Sequence, residues 1–235
     1  MELDLQNHRQ AMSCKSSALK MRILELCAGT GSIGKAFREL GFEVISLDLM
    51  PDFSPTIEAD LMTWDYRVFP PGHFNVCWCS PPCTEYSRAK TIGVRKLEQA
   101  DALVARMREI FDYFRPAIWA FENPYTGLLK SRAVVAGLPC KVVTYCQYGF
   151  PYRKATAIWT NLDSWQPRPV CTRKAPCQFF ADGRHPKTAQ RGPTRGSQRK
   201  EDRFSQNELY SMPPELCSEF AQACVHFLTN PEAAM

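Results

Sequence analysis

From Met21 onward, short apolar runs alternate with amphipathic stretches. MRILELC (21–27) is a continuous apolar run followed by a glycine-rich turn. SIGKAFREL (32–40) then sets Ile33, Phe37 and Leu40 on one helical face before Gly41 stops it. FEVISLD (42–48) reads as a second strand, the surroundings of TIEADL as a short third, and FNVCWC (74–79) as a fourth, unbroken in apolar character as a central parallel strand should be. LEQADALVARMREIFDYF (97–114) repeats Leu97, Ala100, Leu103, Val104, Met107, Ile110, Phe111 and Phe114 at steps of three and four, the pattern of a long amphipathic helix. AIWAFEN (117–123), KVVTYCQ (141–147) and ATAIWTN (155–161) complete seven predicted strands. Strand and helix alternating in this way predict a doubly wound, mostly parallel α/β sheet of Rossmann-like type, with function at the strand C-termini.

The alternation stops near Trp165. Residues 166–211 have no sustained period, and PPELCSEFAQACVHFL then predicts a closing helix with Leu216, Phe220, Ala223, Cys224 and Phe227 on its apolar face. The expected organisation is therefore a polar leader (1–20), a main domain (21–163), a loop-rich region (164–212) and a C-terminal segment packing back on the main domain (213–235). The chain of 235 residues carries a formal charge of +5, spread unevenly. Residues 164–203 hold ten Lys or Arg against three acids, +7 locally, which leaves −2 for the remainder. Such an excess suits a polyanionic partner as well as it suits a solvated loop. The N-terminal segment lacks the apolar core of a signal peptide, and no apolar run approaches the roughly 20 residues of a membrane span. The 11 scattered cysteines suit a reducing compartment. A cytoplasmic or nucleoid location (nuclear in a eukaryote) and a monomeric state are expected.

Three stretches carry candidate chemistry. ELCAGTGSIG lies between a predicted strand and helix, where Gly29 and Gly31 let the backbone approach a ligand, and Asp48 closes the next strand where an acid can bind ribose hydroxyls. CSPPCTEYSR leaves the end of the fourth strand, where Cys83 is placed to act as a nucleophile; an inert packing thiol is the other reading, although Cys83 differs from the chain's ten other cysteines in its polar, turn-forming neighbours. FENP, at the end of the fifth strand, puts Glu122 and Asn123 where they can face the same cleft, and a protonated carboxyl there can donate to a ring nitrogen.

Together the three resemble the cytosine-5 DNA methyltransferase family, which uses S-adenosylmethionine as methyl donor. The resemblance runs from about residue 21 to 161, with the motifs in the family's order. It implies a donor site at Leu26, Cys27, Ala28, Gly29, Thr30, Gly31, Asp48, Leu49, Asp60, Leu61 and Pro81. It further implies Cys83 as nucleophile, Glu122 as the acid that binds the target base, Asn123 beside it, and Arg153 and Lys154 as the basic catalytic patch in YGFPYRKATAIWTN. Ser87 stands at the family's serine position. Pro124 occurs where the family usually has valine, Lys154 and Thr156 stand at its Arg-x-Arg, and its C-terminal motifs are absent. Double-stranded DNA is the implied partner, held by Ser87, Arg88, Arg173, Lys174, Arg184, Lys187, Arg191 and Arg195. Nothing in the basic segment separates DNA from RNA. Two other readings stay open: a catalytically silent nucleic-acid binder of the same fold, and an amino-group methyltransferase, in which an aromatic residue would stand in place of Cys83. Separately, Cys171, Cys177 and His185 have a loose zinc-ligand spacing, with Cys217 or Asp182 as fourth candidates.

Overall fold

The computed structural model describes residues 20–189 and 204–230. Seven strands form one sheet: β1 (Arg22–Leu26), β2 (Glu43–Asp48), β3 (Ile57–Glu58), β4 (Val76–Cys79), β5 (Ile118–Pro124), β6 (Cys140–Thr144) and β7 (Ala155–Thr160). Their order across the sheet is β3-β2-β1-β4-β5-β7-β6. The first five pair in parallel, whereas β7 runs antiparallel to both β5 and β6. The chain runs outward through β2 and β3, then returns to place β4 on the other side of β1. The loops after β1 and β4 therefore leave in opposite directions, and a crevice opens between them, as it does at the switch point of open α/β sheets.

Alternation along the strands divides the core into two layers. Leu24, Leu26, Cys77, Cys79, Phe121 and Trp159 face helix α2 (Leu97–Phe114), whose Val104, Met107, Ile110 and Phe114 are buried against them. Ile23, Val76, Trp78, Ile118, Ala120 and Ile158 face the other way, toward α1 (Ser32–Glu39) and the closing helix α4 (Pro214–Thr229). The predicted apolar face of α4 is its buried face at Leu216, Phe220 and Cys224, with Ala223 and Phe227 partly buried. Phe220 meets the rings of Trp78 and Trp165 edge-on, each at 5.1 Å between centroids. Truncating such a ring to alanine costs about 3–5 kcal/mol, so this contact is a principal fastening of the C-terminal segment. A short helix that the periodicity did not signal, α3 (Gln206–Tyr210), precedes it. Its Ser205 and Glu208 form a reciprocal capping box. Among the described residues, no helix is long and apolar enough to cross a membrane.

Candidate active site

A cavity of about 480 Å³ opens at the C-terminal ends of β1, β2, β4 and β5. One wall is the turn after β1, with Cys27, Ala28, Gly29 and Thr30. Gly29 and Gly31 adopt positive φ of 50° and 65°, and a Cβ at either would meet no atom within 4 Å. The turn is therefore open on its ligand side, and left-handed backbone there favours glycine. Asp48 pins it: Oδ2 accepts from Gly29 N at 2.8 Å, and Oδ1 accepts from Met50 N at 2.9 Å. The chain after β2 then supplies Met50, Asp52 and Phe53 to the wall. Asn207, Tyr210 and Met212 close the cavity from the C-terminal segment, which is tied down where Met212 N donates to Ser32 Oγ at 3.1 Å.

The opposite wall brings together Ser80, Pro81, Pro82, Cys83, Glu122, Pro124 and Lys154. Strand alternation accounts for the division of work at the end of β5. Glu122 continues the Ile118–Ala120 face and lines the cavity, whereas Asn123 lies on the other face and is fully buried. Asn123 Nδ2 donates to Pro81 O at 3.0 Å, fastening the loop that presents Cys83. Lys154 enters from the start of β7. Its Nζ donates to Leu209 O at 2.9 Å and lies 4.8 Å from the centroid of the Tyr145 ring.

The electrostatics follow from burial. Burial raises the Glu122 carboxyl above the ordinary carboxylate range, with Lys154 pulling the other way, and its Oε2 has no hydrogen-bond partner. Cys83 is raised by burial and next by the Glu122 charge, and Lys154 opposes both. At the far end of the cavity Glu25, only 2 % exposed, is pushed up to about 7 by burial, against the Gly34 amide and Arg38. Its Oε2 is also unpartnered. A buried carboxyl on the same wall as a thiol, with one lysine opposing the upward shift of both, suits covalent addition to a ring that needs a proton donor.

The structure sets some of the expected residues apart from the cavity. Leu26 and Leu61 are buried on the α2 side of the sheet and do not line the cavity. Leu49 is exposed outside it, and Asp60 caps its own turn, accepting from Met62 N. Gly31, the N-cap of α1, is not among the residues that line the cavity. Arg153 turns away, its Nε donating to Cys171 O at 3.0 Å, so Lys154 is the basic residue of the cavity. Sequence reasoning missed Glu25, Asp52, Phe53, Asn207 and Tyr210. The Ser-x-x-Glu capping signature at 205–208 was a readable sign of the helix that carries Asn207 and Tyr210. Ser87 and Arg88 lie in a surface loop braced by Arg95, which donates to the carbonyls of Glu85, Ser87 and Lys90. Arg173, Lys174 and Arg184 are exposed and Lys187 half-buried, while Arg191 and Arg195 fall outside the described residues.

The Frog virus 3 (isolate Goorha) protein named "Probable DNA (cytosine-5)-methyltransferase" is 33 % identical over 172 residues, covering 67 % of this chain and 78 % of that protein. The chain belongs to the DNA (cytosine-5)-methyltransferase family. No family model matches it. Among solved structures, the Entamoeba histolytica methyltransferase EhMeth aligns with a TM-score of 0.47 at 14 % identity, over 60 % of this chain and 52 % of that one. Spodoptera frugiperda DNMT2 aligns with a TM-score of 0.41 at 14 % identity, over 72 % and 58 %. The chain thus spans a little over half the length of these two structures.

Proposed function

We propose that this protein transfers a methyl group from S-adenosylmethionine to C5 of a cytosine drawn out of DNA, with Cys83 as nucleophile and Glu122 as the acid that holds the base. One observation carries the reading: Cys83, Glu122 and Lys154 share a single cavity wall opposite the open glycine turn. That turn and the cavity fit the donor. A volume of about 480 Å³ lies in the range of small-molecule sites. Gly29 and Thr30 offer open backbone, Asp48 fixes the turn, and Met50 and Phe53 offer apolar surface for a flat ring. When bound, the donor supplies an electrophilic methyl group on a sulfonium.

Cytosine C5 is a poor nucleophile, so the protein's residues must activate it. The Cys83 thiolate adds to C6, forming the S–C6 bond. The Glu122 carboxyl, whose protonated form burial favours, donates to N3 and stabilises the charge that develops on the ring. C5 then carries the electron pair that accepts the methyl. A base removes the C5 proton, the C5–C6 double bond re-forms, and Cys83 leaves as thiolate. Lys154 stabilises that thiolate at both ends of the sequence. The target base must leave the helix to reach so enclosed a site. The test is incubation with DNA and isotopically labelled donor, followed by mass spectrometry of the nucleosides. Labelled 5-methylcytosine from the wild type and none from Cys83→Ser is expected; absence of labelled 5-methylcytosine with the wild type would overturn the proposal.

A further inference from the structure

A second cluster of reactive side chains lies at the sheet edge, outside the cavity. Cys171, Cys177 and His185, from the loop after β7, converge with Cys146, which sits in the 3₁₀ turn (Tyr145–Tyr148) following β6. Their four donor atoms all lie within 4.8 Å of one another. His185 Nε2 is 3.6 Å from Cys171 Sγ and 3.3 Å from Cys177 Sγ. In a tetrahedral zinc site with Zn–S of about 2.3 Å and Zn–N of about 2.05 Å, N···S edges are about 3.6 Å and S···S edges about 3.8 Å. The two N···S separations lie within about 0.3 Å of that edge, and no pair of the four donor atoms is more than 4.8 Å apart. All three cysteines are buried and free of disulfides, and the histidine is half-buried. The fourth group is thus Cys146, in place of Cys217, which lies on the buried face of α4, or Asp182, which is exposed.

We propose that Cys146, Cys171, Cys177 and His185 bind one Zn²⁺ in a closed, structural Cys₃His site that fastens the basic segment to the edge of the sheet. The segment needs such a fastening. Between Gln166 and Ala189 its regular structure is a single bridge, Ala181 to Arg184, and its buried apolar residues are Cys171 and Cys177 themselves, with Phe179 and Phe180 partly covered. That is too little apolar area to offset the entropy of ordering some twenty residues, the circumstance in which small units recruit a metal. The surrounding chain already aims the ligands. Cys171 N donates to Thr144 Oγ1 at 2.9 Å, and the Cys177 amide points at Cys171 Sγ at 3.4 Å, as amides do toward metal-bound thiolates. Asp182 and Gly183, both at positive φ, reverse the chain and return His185 to the cluster. Arg153, whose guanidinium holds Cys171 O, is adjacent to Lys154 of the cavity. The zinc loop and the cavity are thereby joined through consecutive residues.

The full chain, purified without chelator, should contain about one zinc per molecule by elemental mass spectrometry. Replacement by Co²⁺ should give the intense ligand-field absorption of tetrahedral thiolate coordination. 1,10-Phenanthroline should lower the melting temperature of the wild type by roughly 5 °C or more, restored by added Zn²⁺. Cys171→Ser with Cys177→Ser should lose the metal; the cobalt spectrum and the chelator response of the wild type test the site independently of whether that variant folds. Wild type that remains metal-free after incubation with Zn²⁺ and dialysis would overturn the proposal, as would zinc fully retained in the folded double variant or a cobalt spectrum without thiolate character.

Discussion

Replacing Glu25 by glutamine should flatten the dependence of stability on pH between 5 and 8. Glu25 sits where β1, α1 and α4 meet, 2 % exposed, with one carboxyl oxygen unpartnered. Burial moves its carboxyl from 4.5 to about 7. The unfolded chain releases this proton as pH passes 4.5, while the folded chain keeps it until about 7. The stabilising contribution is therefore fully present below 4.5 and is lost as pH rises to and through 7. At about 1.36 kcal/mol for each tenfold difference in affinity, the full loss is about 3 kcal/mol, and about 2.5 kcal/mol of it falls between pH 5 and 8. Against total stabilities of about 5–15 kcal/mol that is a large effect. Urea unfolding followed by tryptophan fluorescence, at several pH values, measures it. The wild-type curve should fall across this interval relative to that of Glu25→Gln, whose amide does not titrate. Parallel curves for the two proteins would show that Glu25 keeps its charge in the fold, and would refute the reasoning.

Asn123→Ala removes the donor that holds Pro81 O and should cost about 1–3 kcal/mol of stability. If Pro81 positions Cys83, methyl transfer should fall at least tenfold, with the donor dissociation constant, measured by calorimetry, changed less than threefold. Lys154→Gln removes the positive charge that opposes the upward shift of Cys83, so the midpoint of Cys83 alkylation by iodoacetamide should move to higher pH; an unchanged midpoint would remove Lys154 from the electrostatics of the site. Ser205→Ala breaks the capping box of α3, worth about 1 kcal/mol, and should weaken donor binding several-fold. Equal donor affinity in that variant would exclude α3 from the pocket.

Periodicity located the elements well because this sheet is buried on both faces: α2 over Leu97–Phe114 and β7 over Ala155–Thr160 lie within a residue or so of their apolar runs. The closing helix was legible for the same reason, since Leu216, Phe220 and Cys224 recur on one face. What sequence could not give was side-chain direction at strand ends. Glu122 and Asn123 are neighbours in FENP, yet one lines the cavity and the other braces the Pro81 loop. Arg153 and Lys154 diverge in the same way. Cys146 was hidden because it follows an apolar strand and reads as core until the loop carrying Cys171 and His185 folds over it. Asp52 and Phe53 lie on a proline-initiated turn whose path no period signals.

The reversed direction of β7 has a consequence for charge. Its register sets Pro124 opposite Thr156 and Glu122 opposite Ile158, so the first residues of β7 stand beside the last residues of β5. Lys154, immediately before β7, is delivered to the rim where Glu122 and Cys83 lie. Had β7 run parallel, its six residues would have put that ammonium at the opposite rim, about 17 Å away, with the sequence unchanged. At that distance its attraction would fall beyond the Debye length in physiological salt, leaving an acid and a thiol in the cavity with no counter-charge. The polarity of one strand thus decides whether a counter-charge stands beside two buried side chains contributed by other parts of the chain.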